Sequence, residues 1–250
     1  MANSLLIKKK LSYFNKKISV SGDKSISIRW VLLASLASGL SIAQNLLISE
    51  DVLAAIKTVR KLGVKVVLKG KFCKIYGNGI DGFKYKKNLT LNAENSGTLG
   101  RIILGFLVNT PNPIKIIGDK SLSKRDFKRI GDPLNKFGVV LKLKNKKNLP
   151  LTIYGSQNLK PIKYLEKKGS AQCKTAVIFA GLRTKGTTTI RAKKSRNHTE
   201  LMCKHLSLPV SVKSGKNYDE IKVREMKKIK PFNYRIPSDI SSSAFFIVLA

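Results

Sequence analysis

Acidic side chains are scarce in this chain: 14 Asp and Glu stand against 49 Lys and Arg, a formal net charge of +35 over 250 residues. Such an imbalance raises a polyanionic partner, nucleic acid or an anionic membrane. The cations are spread along the chain, however, and Lys, Asn and Ile are inflated together, as AT-rich codons would produce. That favours a lysine-rich composition over a dedicated polyanion surface, so nucleic acid is not the expected partner; small anionic substrates fit either case. Aromatic residues make up only 7%, too few for a single-strand stacking platform. Cysteine is rare as well. Cys73, Cys173 and Cys203 form no CxxC pair, and the two histidines, His198 and His205, complete no metal spacing. No metal site is expected; buried free thiols in a reducing compartment are. No apolar run reaches about 18 residues, which excludes a membrane-spanning helix. The opening "MANSLLIKKKLSYFNKK" has neither a long apolar segment nor a small-residue cleavage site, so no secretory signal is evident and a cytoplasmic location is expected.

What is present is ordinary for a globular protein: 42% apolar and 25% charged residues, in a chain long enough for one large or two small domains. Hydrophobic periodicity gives the same order of elements three times, with a period of about seventy residues. The first unit opens with an apolar helix from Ser25 to about Ser38, followed by a strand Leu40–Ile48. The amphipathic helix "SEDVLAAIKTVRKLG" comes next, with Ser49 as N-cap and acids in its first turn, then the strands "VKVVLKG" and "FCKIYG". The second unit runs "NSGTLGRIILGFLVNT", "PIKIIG", "KRDFKRIGDPLNKFG", "VVLKLK" and "LPLTIYG"; Gly63 and Gly138 are candidate helix C-caps. The third runs "GSAQCKTAVIFAGL", "GTTTIRA", "RNHTELMCKHLSL", "VSVKSG" and "YDEIKVRE". Helix-opening serines fall at Ser25, Ser96 and Ser170. Equivalent units in space would run their core helices parallel, gathering three helix N-termini, with their free N–H groups and positive dipole ends, into an anion site. A fourth opening, "PSDISSSAFFIVLA", starts near Ser241 and stops at Ala250 with no helix-stop signal, so truncation is expected.

The helix starts carry the candidate binding groups. Ser25 and Arg29 share a helix face, and Lys24 precedes them, with Asp23 serving the turn. At the second start Gly97 lets backbone approach a ligand, flanked by Asn95 and Thr98. Arg125, in "GDKSLSKRDFKR", is a candidate bidentate clamp. Ser170 and Gln172 open the third core helix, and Ser195 and Arg196 stand before that unit's second helix. His198 reads as a capping or solvent-facing residue, with no carboxylate at a spacing that would support a triad.

Taken in order, "SGDKSISIR", "NSGTLGR", "GDKSLSKR", "GSAQCKTAVIFAGL", "SRNHTE" and "SDISSSAFF" resemble the 5-enolpyruvylshikimate-3-phosphate synthase family along essentially the whole chain. The sister family, UDP-N-acetylglucosamine enolpyruvyl transferase, is a more distant match. The resemblance implies an α/β fold (α+β in the broader sense): a pseudo-threefold domain of repeated βαβαββ units, one of the two domains of an inverse α/β barrel-like enolpyruvyl transferase. It implies residues 21–237 as a complete inserted domain, residues 1–20 as an N-terminal stub of the other domain, and 238–250 as the start of that domain's remaining half. The implied reaction is transfer of the enolpyruvyl group of phosphoenolpyruvate to the 5-hydroxyl of shikimate 3-phosphate, without cofactor or metal, in a monomer. By the same resemblance Lys24, Ser25, Arg29, Ser170, Ala171 and Gln172 match positions that hold shikimate 3-phosphate, with Lys24 and Gln172 also reaching phosphoenolpyruvate. Gly97 and Arg125 match phosphoenolpyruvate contacts, and Ser195 and Arg196 a further phosphate contact. Lys24 is the one residue given a catalytic role, as a charge stabiliser. The family's aspartate base is implied to lie in the other domain, so these 250 residues alone are expected to be inactive. The alternative is a substrate-binding module without catalysis. Three departures stand out: Trp30 could crowd helix packing, Asp126 could compete for Arg125, and Ala171 lacks a hydroxyl.

Overall fold

The computed structural model describes residues 13, 15 and 17–249. Of the stub expected over residues 1–20, residues 1–12, 14 and 16 therefore lie outside the described residues. The first unit comprises α1 (Lys24–Ser35), β1 (Ser38–Gln44), α2 (Glu50–Lys61), β2 (Lys65–Lys69) and β3 (Phe72–Asn78). The second comprises β4 (Thr90–Asn92), α3 (Gly97–Phe106), β5 (Ile114–Ile117), α4 (Lys128–Lys136), β6 (Val140–Lys144) and β7 (Asn148–Tyr154). The third comprises β8 (Lys163–Glu166), α5 (Ala171–Gly181), β9 (Thr187–Lys193), α6 (His198–His205), β10 (Val210–Lys213) and β11 (Tyr218–Arg224). Last come β12 (Asn233–Arg235) and α7 (Ile240–Leu249).

Three four-stranded mixed sheets result, ordered β12-β1-β3-β2, β4-β5-β7-β6 and β8-β9-β11-β10. In each the first pair is parallel and the others antiparallel. The fold is thus α/β with the expected threefold repetition, and each unit has the form βαβαββ. The periodicity missed the opening strands β4, β8 and β12, because runs of three or four residues are too short to show alternation. The first unit borrows its opening strand from the far end of the domain: β12 pairs with β1 through Ile42–Asn233, Ala43–Tyr234 and Gln44–Arg235. Beside it, Asp23 N donates to Pro237 O (2.8 Å), and Asp239 N donates to Ser21 O (2.9 Å).

The core helices α1, α3 and α5 are apolar nearly all round and buried along most of their length; α2 buries one stripe, Val52, Ala54, Ala55, Ile56, Thr58 and Val59. Several boundaries differ from the expected ones. β1 ends at Gln44 rather than Ile48, because Asn45 takes a left-handed φ of 58° and turns Leu46 into the core. The helix expected from Lys124 starts at Lys128, after a 3-10 turn at Leu122–Lys124 and an extended Arg125. Gly63 and Gly138 follow their helices with φ of 85° and 96°, as helix-ending glycines do. The three cysteines are free and buried, and among the described residues no helix is long and apolar enough to cross a membrane.

α3 and α5 approach closely at Gly105, where a Cβ would fall 2.3 Å from Ala176 O. Next to it, the Phe106 and Phe179 rings pack at a tilt of 40° with centroids 4.2 Å apart. Gly105→Ala must push two packed helices apart and is expected to cost about 1–3 kcal/mol in denaturant unfolding. A wild-type midpoint would show that the helices part without strain.

Candidate active site

The three core helices begin in the same way. Asp23 Oδ1 accepts from Ile26 N (2.7 Å) at the start of α1, Ser96 Oγ from Leu99 N (3.2 Å) before α3, and Ser170 Oγ from Cys173 N (3.3 Å) before α5. The cap of α1 is therefore Asp23, and Ser25 lies inside the first turn. The loop into α5 is shaped by buried Glu166, whose carboxylate accepts from Lys168 N (3.2 Å) and Ser170 N (2.9 Å). The remaining first-turn N–H groups have no helical partner, and the helix dipoles add positive potential at the same end.

All three starts border one cleft of about 700 Å³, which is also reached by the first turn of α2 and the segments entering α4 and α6. Lys24, Ser25, Arg29, Gly97, Arg125, Ser170, Ala171, Gln172, Ser195 and Arg196 all line it. Sequence reading gave no cleft role to Asp51, Arg129, Lys168 and His198, which line it too. Among the described residues the cleft is lined by six cations, Lys24, Arg29, Arg125, Arg129, Lys168 and Arg196, and by one carboxylate, Asp51.

Individual geometries are well defined. Lys24 Nζ lies 3.0 Å from Asp51 Oδ2, and its side chain is about half exposed. The Arg29 side chain is buried: Nη1 donates to Ser25 O (2.9 Å), Nε to Thr199 Oγ1 (2.7 Å) and Nη2 to Thr175 Oγ1 (3.1 Å). Burial, opposed chiefly by Glu200, brings its pKa down to about 10, so it stays charged at neutral pH. At Gly97 a Cβ would sit 3.0 Å from Arg101 Nη1 and 3.1 Å from Arg125 Nη1, so two guanidinium groups press against a bare Cα. Gln172 is locked at both ends, its Oε1 accepting from Arg101 Nη1 (2.7 Å) and its Nε2 donating to Thr98 Oγ1 (3.1 Å). Exposed Arg125 donates from Nη2 to Asn95 Oδ1 (3.3 Å). Asp126 does not compete for Arg125: its Oδ1 accepts from Arg129 N (3.4 Å) at the start of α4, and no Arg125–Asp126 ion pair occurs among the described residues.

His198 departs from the expectation of a capping or solvent-facing residue. It is the first residue of α6, half-buried on the cleft wall, while Asn197 holds the cap position. Burial, opposed by Asp23 and helped by neighbouring Arg29 and Arg196, lowers its pKa from the ordinary histidine value. Its Nδ1, Ser195 Oγ and Arg129 Nε are buried with no hydrogen-bond partner among the described residues, all in side chains that line the cleft. Unspent donors, surplus cations and helix N-termini suit this cleft to an anion bearing several oxygen acceptors.

Known proteins are similar to this chain in sequence and fold. The model for EPSP synthase (3-phosphoshikimate 1-carboxyvinyltransferase) matches residues 8–250. The 3-phosphoshikimate 1-carboxyvinyltransferase of Sulfurihydrogenibium sp. (strain YO3AOP1) is 39% identical over 244 residues, 97% of this chain and 56% of that protein. Its counterpart from Streptococcus mutans is 40% identical over 232 residues, 92% of this chain and 53% of that protein. The solved structure of EPSP synthase from Acinetobacter baumannii superposes with a TM-score of 0.86 at 35% identity, covering 93% of this chain and 52% of that one. The enolpyruvyl transferase NikO from Streptomyces tendae shares the fold, at a TM-score of 0.67 and 14% identity. The chain spans about half the length of the curated relatives it matches. With the family model covering nearly all of its residues, the chain belongs to the EPSP synthase (3-phosphoshikimate 1-carboxyvinyltransferase) family.

Proposed function

We propose that the cleft is one wall of an active site that joins the enolpyruvyl group of phosphoenolpyruvate to the 5-hydroxyl of shikimate 3-phosphate, in aromatic amino acid biosynthesis. The 5-oxygen forms an ether bond to the enol carbon, the carbon–oxygen bond to phosphate breaks, and inorganic phosphate leaves with the hydroxyl proton. The observation that carries this reading is the convergence of three capped helix N-termini and six cations, from a chain of this family, on one cleft. Both substrates and the released phosphate are anions, so fixed donors serve every stage of the reaction without reorganising.

In this reading Lys24, Ser25, Arg29, Ser170, Ala171 and Gln172 hold shikimate 3-phosphate, and Ser195 and Arg196 add a phosphate contact. Gly97 and Arg125 receive phosphoenolpyruvate, which Lys24 and Gln172 also reach. Lys24, half exposed and tied only to Asp51, is free to swing onto charge that develops on the departing phosphate. No general base is assigned within this chain; in this reading the second domain supplies it. Residues 21–237 form the inserted domain, a division supported by the chain's two crossings lying side by side, where Gly22 bridges Ser238 and Asp23 N and Asp239 N donate to Pro237 O and Ser21 O. We place the protein in the cytoplasm as a monomer.

Calorimetry with shikimate 3-phosphate on the 250-residue chain tests the assignment. Arg29→Ala is expected to weaken binding by about 1.5–3 kcal/mol, the range for a charge-assisted hydrogen bond. Unchanged affinity would remove Arg29 from the site, and no binding by the wild-type chain would overturn the reading itself.

A further inference from the structure

Beneath the cleft lies a buried polar cluster to which the proposed reaction gives no role. Lys174 sits inside the apolar run of α5 with 1% of its side chain exposed, and its Nζ lies 2.6 Å from Glu200 Oε1 on α6. The next residue on α5, Thr175, and the preceding residue on α6, Thr199, are also buried and bond to each other at 2.7 Å. α5 and α6 are thus joined by two polar rungs, one ionic and one hydroxyl. Arg29, from α1, donates to both threonines of the second rung. Three helices that each bring residues to the cleft therefore meet at one guanidinium.

We propose that the Lys174–Glu200 ion pair, acting through Thr175 and Thr199, is a positioning device that sets the Arg29 guanidinium at the cleft. Stability alone does not account for it. Burying two charges costs several kcal/mol of desolvation, and well-packed apolar side chains of similar volume usually stabilise as well or better. Glu200 Oε2 is moreover buried with no hydrogen-bond partner among the described residues, a further cost an apolar pair would avoid. What an apolar pair cannot supply is registry. An ion pair and a hydroxyl bond on consecutive residues fix the axial offset of α5 against α6, whereas a greasy contact tolerates sliding. The guanidinium needs that offset, because its Nε and Nη2 reach one threonine on each helix. Glu200 also supplies the largest electrostatic attraction acting on Arg29.

This inference rests on the proposed shikimate 3-phosphate site, and the experiment separates the two. The double variant Lys174→Met/Glu200→Met, made in the full chain, keeps volume and removes both charges. It is expected to unfold at or above the wild-type temperature and to bind shikimate 3-phosphate about tenfold more weakly in calorimetry. In an Arg29→Ala background the same pair of changes is expected to alter affinity no further. Thr199→Val, which keeps the ion pair and removes the hydroxyl that Arg29 Nε needs, is expected to weaken binding likewise, and it tests the same link should the methionine pair fold poorly. Wild-type affinity in the folded methionine pair or in Thr199→Val, or an equal further loss in the Arg29→Ala background, would overturn the positioning role. A wild-type chain that does not bind at all would instead overturn the proposed site.

Discussion

Glu200→Ala alone is expected to destabilise the folded chain by about 3–5 kcal/mol, a large part of the stability of an ordinary domain. The cause is what the substitution leaves behind. Lys174 would keep its ammonium group on a side chain 1% exposed, surrounded by the apolar residues of α5 and its neighbours, with its 2.6 Å partner gone. An unpaired buried ammonium must be hydrated by local opening or lose its proton, and either route costs several kcal/mol. The neighbouring bond between Thr175 and Thr199 would be strained as α6 shifts to admit water. Denaturant unfolding of Glu200→Ala against the methionine pair reads the effect directly: the single change should be far worse than the double one. A single-variant loss under about 1 kcal/mol would mean that Lys174 finds another acceptor.

Trp30→Ala should do comparable damage by a different route. Trp30 is wholly buried in α1, its ring set edge-on to Phe232 with centroids 6.2 Å apart. Truncation to alanine leaves a cavity beneath the segment that leads into β12, and changes of this kind cost about 3–5 kcal/mol. Trp30→Phe is the informative companion. The Trp30 Nε1 donor is buried without a partner, so a ring lacking that N–H gives up volume but sheds an unsatisfied group. The phenylalanine variant should stay within about 1.5 kcal/mol of wild type. A phenylalanine loss as large as the alanine one would point to a hydrogen bond from Nε1 in solution. Trp30, expected to crowd the helix packing, is wholly buried with its ring edge-on to Phe232.

Much of the architecture was legible because it repeats. One serine-opened apolar helix is ambiguous; three at a constant spacing predicted that their starts would converge, and Lys24, Gly97 and Ser170 do border one cleft. The polar framework behind the cleft was not legible, although its members left a trace. Arg101 in "GTLGRIILGF" and Lys174 in "AQCKTAVIFAG" are charges inside apolar helices, and a buried charge demands a partner. The partners, Gln172 for Arg101 and Glu200 for Lys174, come from other turns of chain, and no local spacing could name them. The same limit hid β12, whose three residues make sense only beside Ile42–Gln44. His198 was misplaced for a related reason: whether a helix start faces water or a cleft is decided by what the other units put opposite it.

The borrowed strand also sets an order in time. The second and third units take all their strands from continuous stretches, residues 90–154 and 163–224, so each can close its sheet as soon as its own residues emerge during synthesis. The first unit cannot. Although made earliest, it holds β1 with one edge open until Asn233–Arg235 appear, nearly 190 residues after Gln44, and closing so long a loop is entropically costly and slow. The N-terminal end of the cleft, with Lys24 and Arg29, is therefore the last part of this domain to become rigid, and a nascent chain stalled before residue 233 would carry two finished units and an unfinished one with its edge exposed.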